Sequence, residues 1–241
     1  MGDERGPESR AAGGGASGAD AAAPDRSGGP DGATAGRTVP VTVTWLEMTS
    51  PDRCSPVPGV LEPTAILRAE RPTISFYRYL YDTVGADWNW FMRRRLSDEE
   101  LAAIIHDDRD EVFVLHVRGV PAGYVELDRR IDEEVEIAYF GLIPEYVGRG
   151  FGKYLLAWGL ARAWSYRPRR VWLHTCTLDH PRALGVYQRA GLEVYHREEV
   201  QEPVEHLLFV PDDVRVQGVF TPEGQETHQN RMTSSEARRS D

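Results

Sequence analysis

Apolar and polar residues alternate over 41–46 (VTVTWL), with β-branched and aromatic side chains in the apolar places, which predicts a strand. The prolines from Pro51 to Pro63 interrupt the pattern and mark a loop. After Pro72 the period lengthens, and Ile74, Tyr77, Leu80 and Tyr81 recur at helical spacing. A short helix is predicted over 87–94. A further one opens at Ser97, where Glu100 three positions on completes a capping box. Period-two runs return at 111–117, 122–129 and 134–142. The turn residues Arg118-Gly119 and Ile131-Asp132-Glu133 separate them, so the three are expected to pair as an antiparallel meander.

From 150 to 166 the pattern is helical again. Phe151, Leu155 and Trp158 form one apolar stripe and Leu156, Leu160 and Ala163 another, so neighbours should cover two sides of this helix. A strand over 169–177, a helix over 181–190 stopped by Gly191, and closing strands over 192–197 and 206–210 complete the order. No internal repeat interrupts it. Strands and helices in this order describe one α/β domain, bounded here at 39–220.

Outside those bounds the pattern vanishes. Between Gly2 and Thr38 there is no Val, Ile, Leu, Phe, Tyr or Trp, and 221–241 hold one Met as their sole large apolar residue. Neither stretch can bury enough surface to offset chain entropy, and both are expected to be disordered tails. The formal charge of -10 argues against nucleic acid as a partner, because phosphate backbones attract concentrated Lys and Arg. The cluster Arg93-Arg94-Arg95 is too short to reverse that; it reads as a solvated helix face, with a phosphate or an acidic substrate as the other reading. Cys54 and Cys176 form no metal-ligand spacing with the histidines, so no metal is expected and a reducing, cytoplasmic setting is the default. No run of about 18 apolar residues suggests a membrane span.

The segment most charged with chemical meaning is 144–153 (PEYVGRGFGK), which joins a strand end to a helix start. Amides at a helix start lack intrahelical partners and lie at the positive end of the dipole, and glycines let a phosphate come close to the backbone. A diphosphate cradle and a merely tight connection both suit these residues. A Walker loop does not, since Val147 and Tyr154 stand where it needs Gly and a hydroxyl. Nor does a dinucleotide fingerprint, since Lys153 stands where its third Gly belongs.

The run Val147-Gly148-Arg149-Gly150-Phe151-Gly152 resembles the Gln/Arg-x-x-Gly-x-Gly/Ala turn of the GNAT superfamily, with Val147 in place of Gln or Arg. About thirty residues on, 180–192 (HPRALGVYQRAGL) is similar to that family's Asn-x-x-Ala-x-x-x-Tyr-x-x-x-Gly-Phe. Ala183, Tyr187 and Gly191 match; His180 and Leu192 depart. The resemblance implies a single mixed, mostly antiparallel central sheet flanked by helices. It also implies acetyl-CoA as co-substrate, with Val147, Gly148, Arg149, Gly150, Phe151, Gly152, Lys153 and His180 about the cofactor.

Further roles follow from the same resemblance. Tyr187 corresponds to the family's thiolate-protonating Tyr, Leu142 to the position whose backbone N–H polarises the thioester carbonyl, and Glu136, six residues before Leu142, to its frequent base. On the residues alone, Glu136 and Glu126 compete as bases, and either suits a surface carboxylate equally. His174 is a proton carrier or a structural His, Cys176 a small hydrophobe, and Trp88, Trp90 and Phe91 are acceptor walls or core. The expected activity is acetyl transfer to a primary amine of a small molecule or peptide by direct attack in a ternary complex; a non-catalytic acyl-CoA-binding regulatory module is the alternative. Acceptor identity, the nature of the acyl group and association into a homodimer are left open by the sequence.

Overall fold

The computed structural model describes residues 36–209. The expected tails, except for 36–38, and positions 210–220 of the expected domain lie outside the described residues. Seven strands form one sheet: β1 (Thr38–Met48), β2 (Thr64–Arg68), β3 (Asp110–Val117), β4 (Val120–Asp128), β5 (Glu134–Leu142), β6 (Arg170–Cys176) and β7 (Glu193–Pro203). Their order across the sheet is β2-β3-β4-β5-β6-β1-β7. The β3–β4–β5 meander is antiparallel as expected, and only β5 and β6 pair in parallel. The fold is therefore the expected mixed, mostly antiparallel sheet flanked by helices.

One face is covered by α3 (Phe151–Ser165), whose Phe151, Leu155, Leu156 and Leu160 pack on Val125, Leu127, Val135 and Leu173. The two-stripe pattern finds its cause here, since sheet and neighbouring segments enclose this helix on both sides. The other face is covered by α1 (Ile74–Gly85) and α2 (Asp98–Ile105), which bury Tyr77, Leu80, Tyr81, Leu101 and Ile105 against Val112, Val114 and Tyr124. The Ser97–Glu100 capping box at the start of α2 has both of its bonds, 3.2 Å and 2.8 Å. A short α4 (Ala183–Arg189) follows β6, and Gly191 beyond it takes φ 107°.

Three expectations are corrected. Residues 87–94 are not a helix but two single 3₁₀ turns, Ala86–Trp88 and Arg93–Arg95, with Asn89 left-handed between them at φ 53°. The chain folds back here because Trp90 packs over Gly85, where a β-carbon would lie 2.5 Å from the Trp90 side chain. Secondly, β2 escaped the sequence pattern because this edge strand has no buried residue to signal it. Thirdly, the closing pair of strands is one long strand, β7. Mostly exposed, it is held by its ladder with β1, and a 3₁₀ turn Val204–His206 occupies the start of the second expected strand.

The sheet opens in the middle. Parallel pairing of β5 with β6 stops after Glu134–Arg170, Val135–Val171 and Glu136–Trp172. On the β4 side, Leu127 faces Ile137 and Glu126 faces Tyr139, so Ala138 is an extra residue, a bulge that bends β5. Meanwhile β6 stays paired with β1 as far as Cys176. Each strand follows its outer partner, and the two diverge.

Candidate active site

The divergence of β5 and β6 opens a cavity of about 820 Å³. Its wall runs from the glycine turn through both strands to the aromatic turn after α1. Ile143 N donates to Ala122 O at 2.9 Å, so 143 and 122 form a hydrogen-bonded pair and 142 and 123 a non-bonded one. The Leu142 N–H consequently points away from β4 towards the side that β6 has left.

At the strand's end the turn presents a run of free donors. Val147 N donates to Pro144 O, and the first amide of the helical ladder is Tyr154 N, donating to Gly150 O. Among the described residues the N–H groups of Gly148, Arg149, Gly150, Phe151, Gly152 and Lys153 reach no protein acceptor. Gly148 and Gly150 hold φ of 83° and 88°, which L side chains resist by about 1–2 kcal/mol, yet a β-carbon at either would meet nothing within 4 Å. The glycines serve the backbone conformation, and the space before them is open. Phe151, 2% exposed, anchors the first turn of α3 in the core, a burial stabilising by about 2–3 kcal/mol. Its ring belongs to the core and only its amide faces the turn. The Arg149 side chain pairs with Glu62 and lies over the Tyr146 and Phe151 rings at 5.2 and 5.3 Å. Arg149 and Arg118 together hold the Glu62 carboxyl below its usual range. Lys153, exposed and without an ion pair among the described residues, lines the cavity beside Val147, Gly148, Gly150 and Gly152.

Tyr187 on α4 lines the same cavity, its ring edge-on to Phe140 with centroids 6.1 Å apart. Burial, with help from Asp179, holds its phenol well above the usual tyrosine range. His180 also lines the cavity; its Nδ1 accepts from Arg182 N at 3.0 Å and its ring meets Trp88 at 4.7 Å. Glu136 stands behind the wall. Its Oε1 lies 3.2 Å from Nδ1 of His174, and His174 faces the cavity. A carboxylate can only accept, so Nδ1 carries the hydrogen and Nε2 of the neutral ring is free to take a proton. The hydrogen bond to Glu136 raises the His174 pKa, outweighing burial.

Glu126 is not on the cavity wall. It is fully buried, takes hydrogen bonds from Arg93 Nη2 at 2.6 Å and Tyr77 Oη at 2.5 Å, and is no surface carboxylate. Burial raises its pKa against the lowering effect of Arg93. Arg93, expected on a solvated face, is thus a buried partner; Arg94 pairs with Asp82. Cys176 lines the cavity as a thiol that burial and Asp179 push up to about 12, which keeps it protonated.

Sequence reasoning passed over Asp179 and Asn89. Asp179 Oδ2 accepts from Thr175 Oγ1 (2.7 Å) and Cys176 N (2.9 Å), and Oδ1 from Trp90 Nε1 (3.3 Å). Nothing marks a loop Asp as such a hub until the chain is folded. Among the described residues no group of His, Cys, Asp and Glu is arranged to hold a metal ion, and no helix is long and apolar enough to cross a membrane.

A sequence model described as "Acetyltransferase (GNAT) family" matches residues 75–192. Uncharacterized N-acetyltransferases of Mycobacterium tuberculosis and Mycobacterium bovis are 30% identical over 104 residues, 43% of this chain and 66% of theirs. The chain thus spans just under two thirds of the curated relatives it matches. A GCN5-related N-acetyltransferase from Sphaerobacter thermophilus superposes with a TM-score of 0.51 at 19% identity, over 77% of this chain and 55% of the other, a likeness of fold. The matched segment runs from α1 through the glycine turn to the residue after Gly191, and it shows that residues 75–192 belong to the GNAT acetyltransferase family.

Proposed function

We propose that the protein is an N-acetyltransferase moving the acetyl group of acetyl-CoA to a primary amine of a small molecule or peptide by direct attack within a ternary complex. The observation that carries this reading is the run of six unpartnered amides over 148–153 on the same cavity as Tyr187. A diphosphate fits there: the free donors lie at a helix start, Lys153 adds a positive charge, and the space a β-carbon would fill at Gly148 and Gly150 is open. The two cysteines, free thiols in the fold, suit a reducing, cytoplasmic setting.

Bound acetyl-CoA supplies an activated acyl carbon. A C–N bond forms as the C–S bond breaks, the ammonium loses one proton before attack and a second on bond formation, and the departing thiolate gains one. Leu142 N–H, free of the β4 ladder, donates to the carbonyl oxygen as charge develops there. Tyr187 keeps its proton at neutral pH and gives it to the sulfur. His174 Nε2 takes the amine proton. Glu136, behind it, orients the ring and favours its charged form, so this carboxylate works through His174.

Two measurements test the reading. Saturating acetyl-CoA, at about 100 times Kd, is expected to stabilise the protein by about 2.7 kcal/mol, a rise in Tm of roughly 5–10 °C. Gly150→Glu is expected to abolish the rise, by bulk and negative charge in the cradle, whatever its own strain does to the baseline. A melting curve that saturating acetyl-CoA leaves unmoved overturns the cofactor assignment. In the pH profile of kcat/KM, the acid limb should lie above 6.5, the ordinary His value, because Glu136 raises His174. Glu136→Gln removes the charge that raises it, so the limb should move to lower pH while the plateau falls ~10-fold or more. A limb that stays in place rules out this pair as the base.

A further inference from the structure

Among the described residues Asp179 is a carboxylate without a counterion. Its two oxygens already accept three hydrogen bonds, from Trp90, Thr175 and Cys176, which fix its orientation. No Lys, Arg or His approaches it within salt-bridge distance among the described residues, although it is partly buried on the wall of an apolar cavity. The other wall carboxylate, Glu202, has His206 at 2.6 Å, and Glu136 behind the wall has His174. A carboxylate has about four acceptor positions, so Asp179 has one left, and a half-buried uncompensated charge favours a cation there.

Of the charged side chains lining the cavity, Lys153 and Arg189 belong to α3 and α4, Asp179 and Arg182 to the β6–α4 loop and Glu202 to β7; His174 and His180 line it too, and Asp179 helps to raise the His174 pKa. Around Asp179 the lining is aromatic: Trp90 donates to it directly, Tyr81 packs on Trp90 with centroids 5.4 Å apart, and Trp88 and Phe91 come from the same turn. That turn also supplies Asn89, 3% exposed, whose Oδ1 accepts from Leu208 N and Phe209 N while its Nδ2 has no partner among the described residues. Since two N–H donors fix which end of the amide is oxygen, the orphan is a donor, buried in a residue that belongs to the cavity wall.

Resting on the acetyl-transfer reading above, we infer that the acceptor is an arylalkylamine. Its ammonium docks on Asp179, its aromatic body lies against Trp88, Trp90 and Phe91, and it carries no carboxylate beside the amine. The ammonium fills the fourth acceptor position of Asp179, and the aromatic walls add cation–π attraction and apolar contact. A carboxylate one carbon from the amine would be brought against Asp179, and a polyamine would leave further ammonium groups in an apolar space. Asp179 is a binding and positioning residue here; the proton acceptor remains His174. The unpartnered Nδ2 of Asn89 suits a neutral oxygen on the aromatic body, such as a phenol.

The test is steady-state thiol release by the full chain with acetyl-CoA and a matched panel: 2-phenylethylamine, tyramine and tryptamine against phenylalanine, tyrosine and tryptophan, with spermidine and a lysine-containing peptide alongside. kcat/KM for each arylethylamine is expected to exceed that of its amino acid at least 30-fold, with tyramine ahead of 2-phenylethylamine. Asp179→Asn is expected to raise the arylethylamine KM by 10-fold or more, as loss of a charged hydrogen bond does, with kcat within about threefold and the acetyl-CoA melting shift retained. Because Asp179 also ties Thr175 and Cys176, Trp88→Ala supplies a second variant: it should raise KM for tryptamine far more than for ethylamine. Equal use of tryptophan and tryptamine, preference for spermidine or the peptide, or an Asp179→Asn variant that loses kcat at unchanged KM overturns the acceptor assignment while leaving acetyl transfer standing. Absence of thiol release with every amine, despite a melting shift with acetyl-CoA, overturns acetyl transfer and this inference together.

Discussion

Tyr187→Phe is expected to lower kcat by about 10²-fold or more, with the acceptor KM and the acetyl-CoA melting shift nearly unchanged, since a positioned general acid contributes typically 10²–10⁴-fold. The substitution deletes one oxygen. The ring that packs edge-on to Phe140 is retained, so the wall of the cavity keeps its shape. What is lost is a proton donor held in its neutral form by burial and by the negative field of Asp179. The departing thiolate must then take its proton from water in a site lined by apolar groups, or leave unprotonated. The separation of effects is what identifies the role. A packing role would lower Tm and weaken ligand binding along with turnover, and a fall in kcat matched by an equal loss of acetyl-CoA affinity would remove Tyr187 from the chemistry. The deficit should also shrink with an acyl donor whose thiol is more acidic, because a better leaving group needs less protonation.

The residues legible in the sequence are those whose role is carried by backbone conformation or by spacing along one element. Gly148 and Gly150 stand out because left-handed backbone at a strand-to-helix turn selects glycine, and Ser97 with Glu100 because a capping box is a local pair of bonds. The meander was legible because its strands each bury one face or both. By contrast β7 is mostly exposed and is held by main-chain pairing with β1, which leaves no hydrophobic period to read. The aromatic turn was misread as a helix since Trp88, Trp90 and Phe91 are compatible with either. Its fold depends on Gly85, on Asn89 and on Arg93 reaching a carboxylate 33 residues away. Asp179 and the His174–Glu136 contact join residues on different elements, and only the divergence of β5 and β6 gives them a shared cavity.

Arg93→Met is expected to destabilise the protein by about 3–5 kcal/mol, the usual cost of removing one partner from a buried ion pair, and so to lower Tm by roughly 10 °C. Glu126 is fully buried, and without Arg93 its charge keeps only the Tyr77 hydroxyl. The loss has a pH signature whose sign can be fixed. Burial already raises the Glu126 pKa above its ordinary 4.5, and Arg93 opposes that rise, so the variant raises it further. A carboxyl whose folded pKa is raised contributes stability that is present below its unfolded value and lost as pH climbs through the folded one. The deficit of Arg93→Met should therefore be smallest near pH 4.5 and widen towards neutral pH; a deficit flat across that window would show that the charge is not what matters. Arg93→Met with Glu126→Gln, which leaves no charge behind, should recover more than half of the loss. The functional consequence follows from where Arg93 sits. Its amide donates to the Tyr81 hydroxyl, its guanidinium lies over Tyr139 at 5.2 Å, and it closes the turn that carries Trp88, Trp90 and Phe91. Unpinning that turn should raise the KM of the amine while sparing the acetyl-CoA melting shift, because the amides of 148–153 are held by α3 and the Phe151 anchor on the opposite face of the sheet.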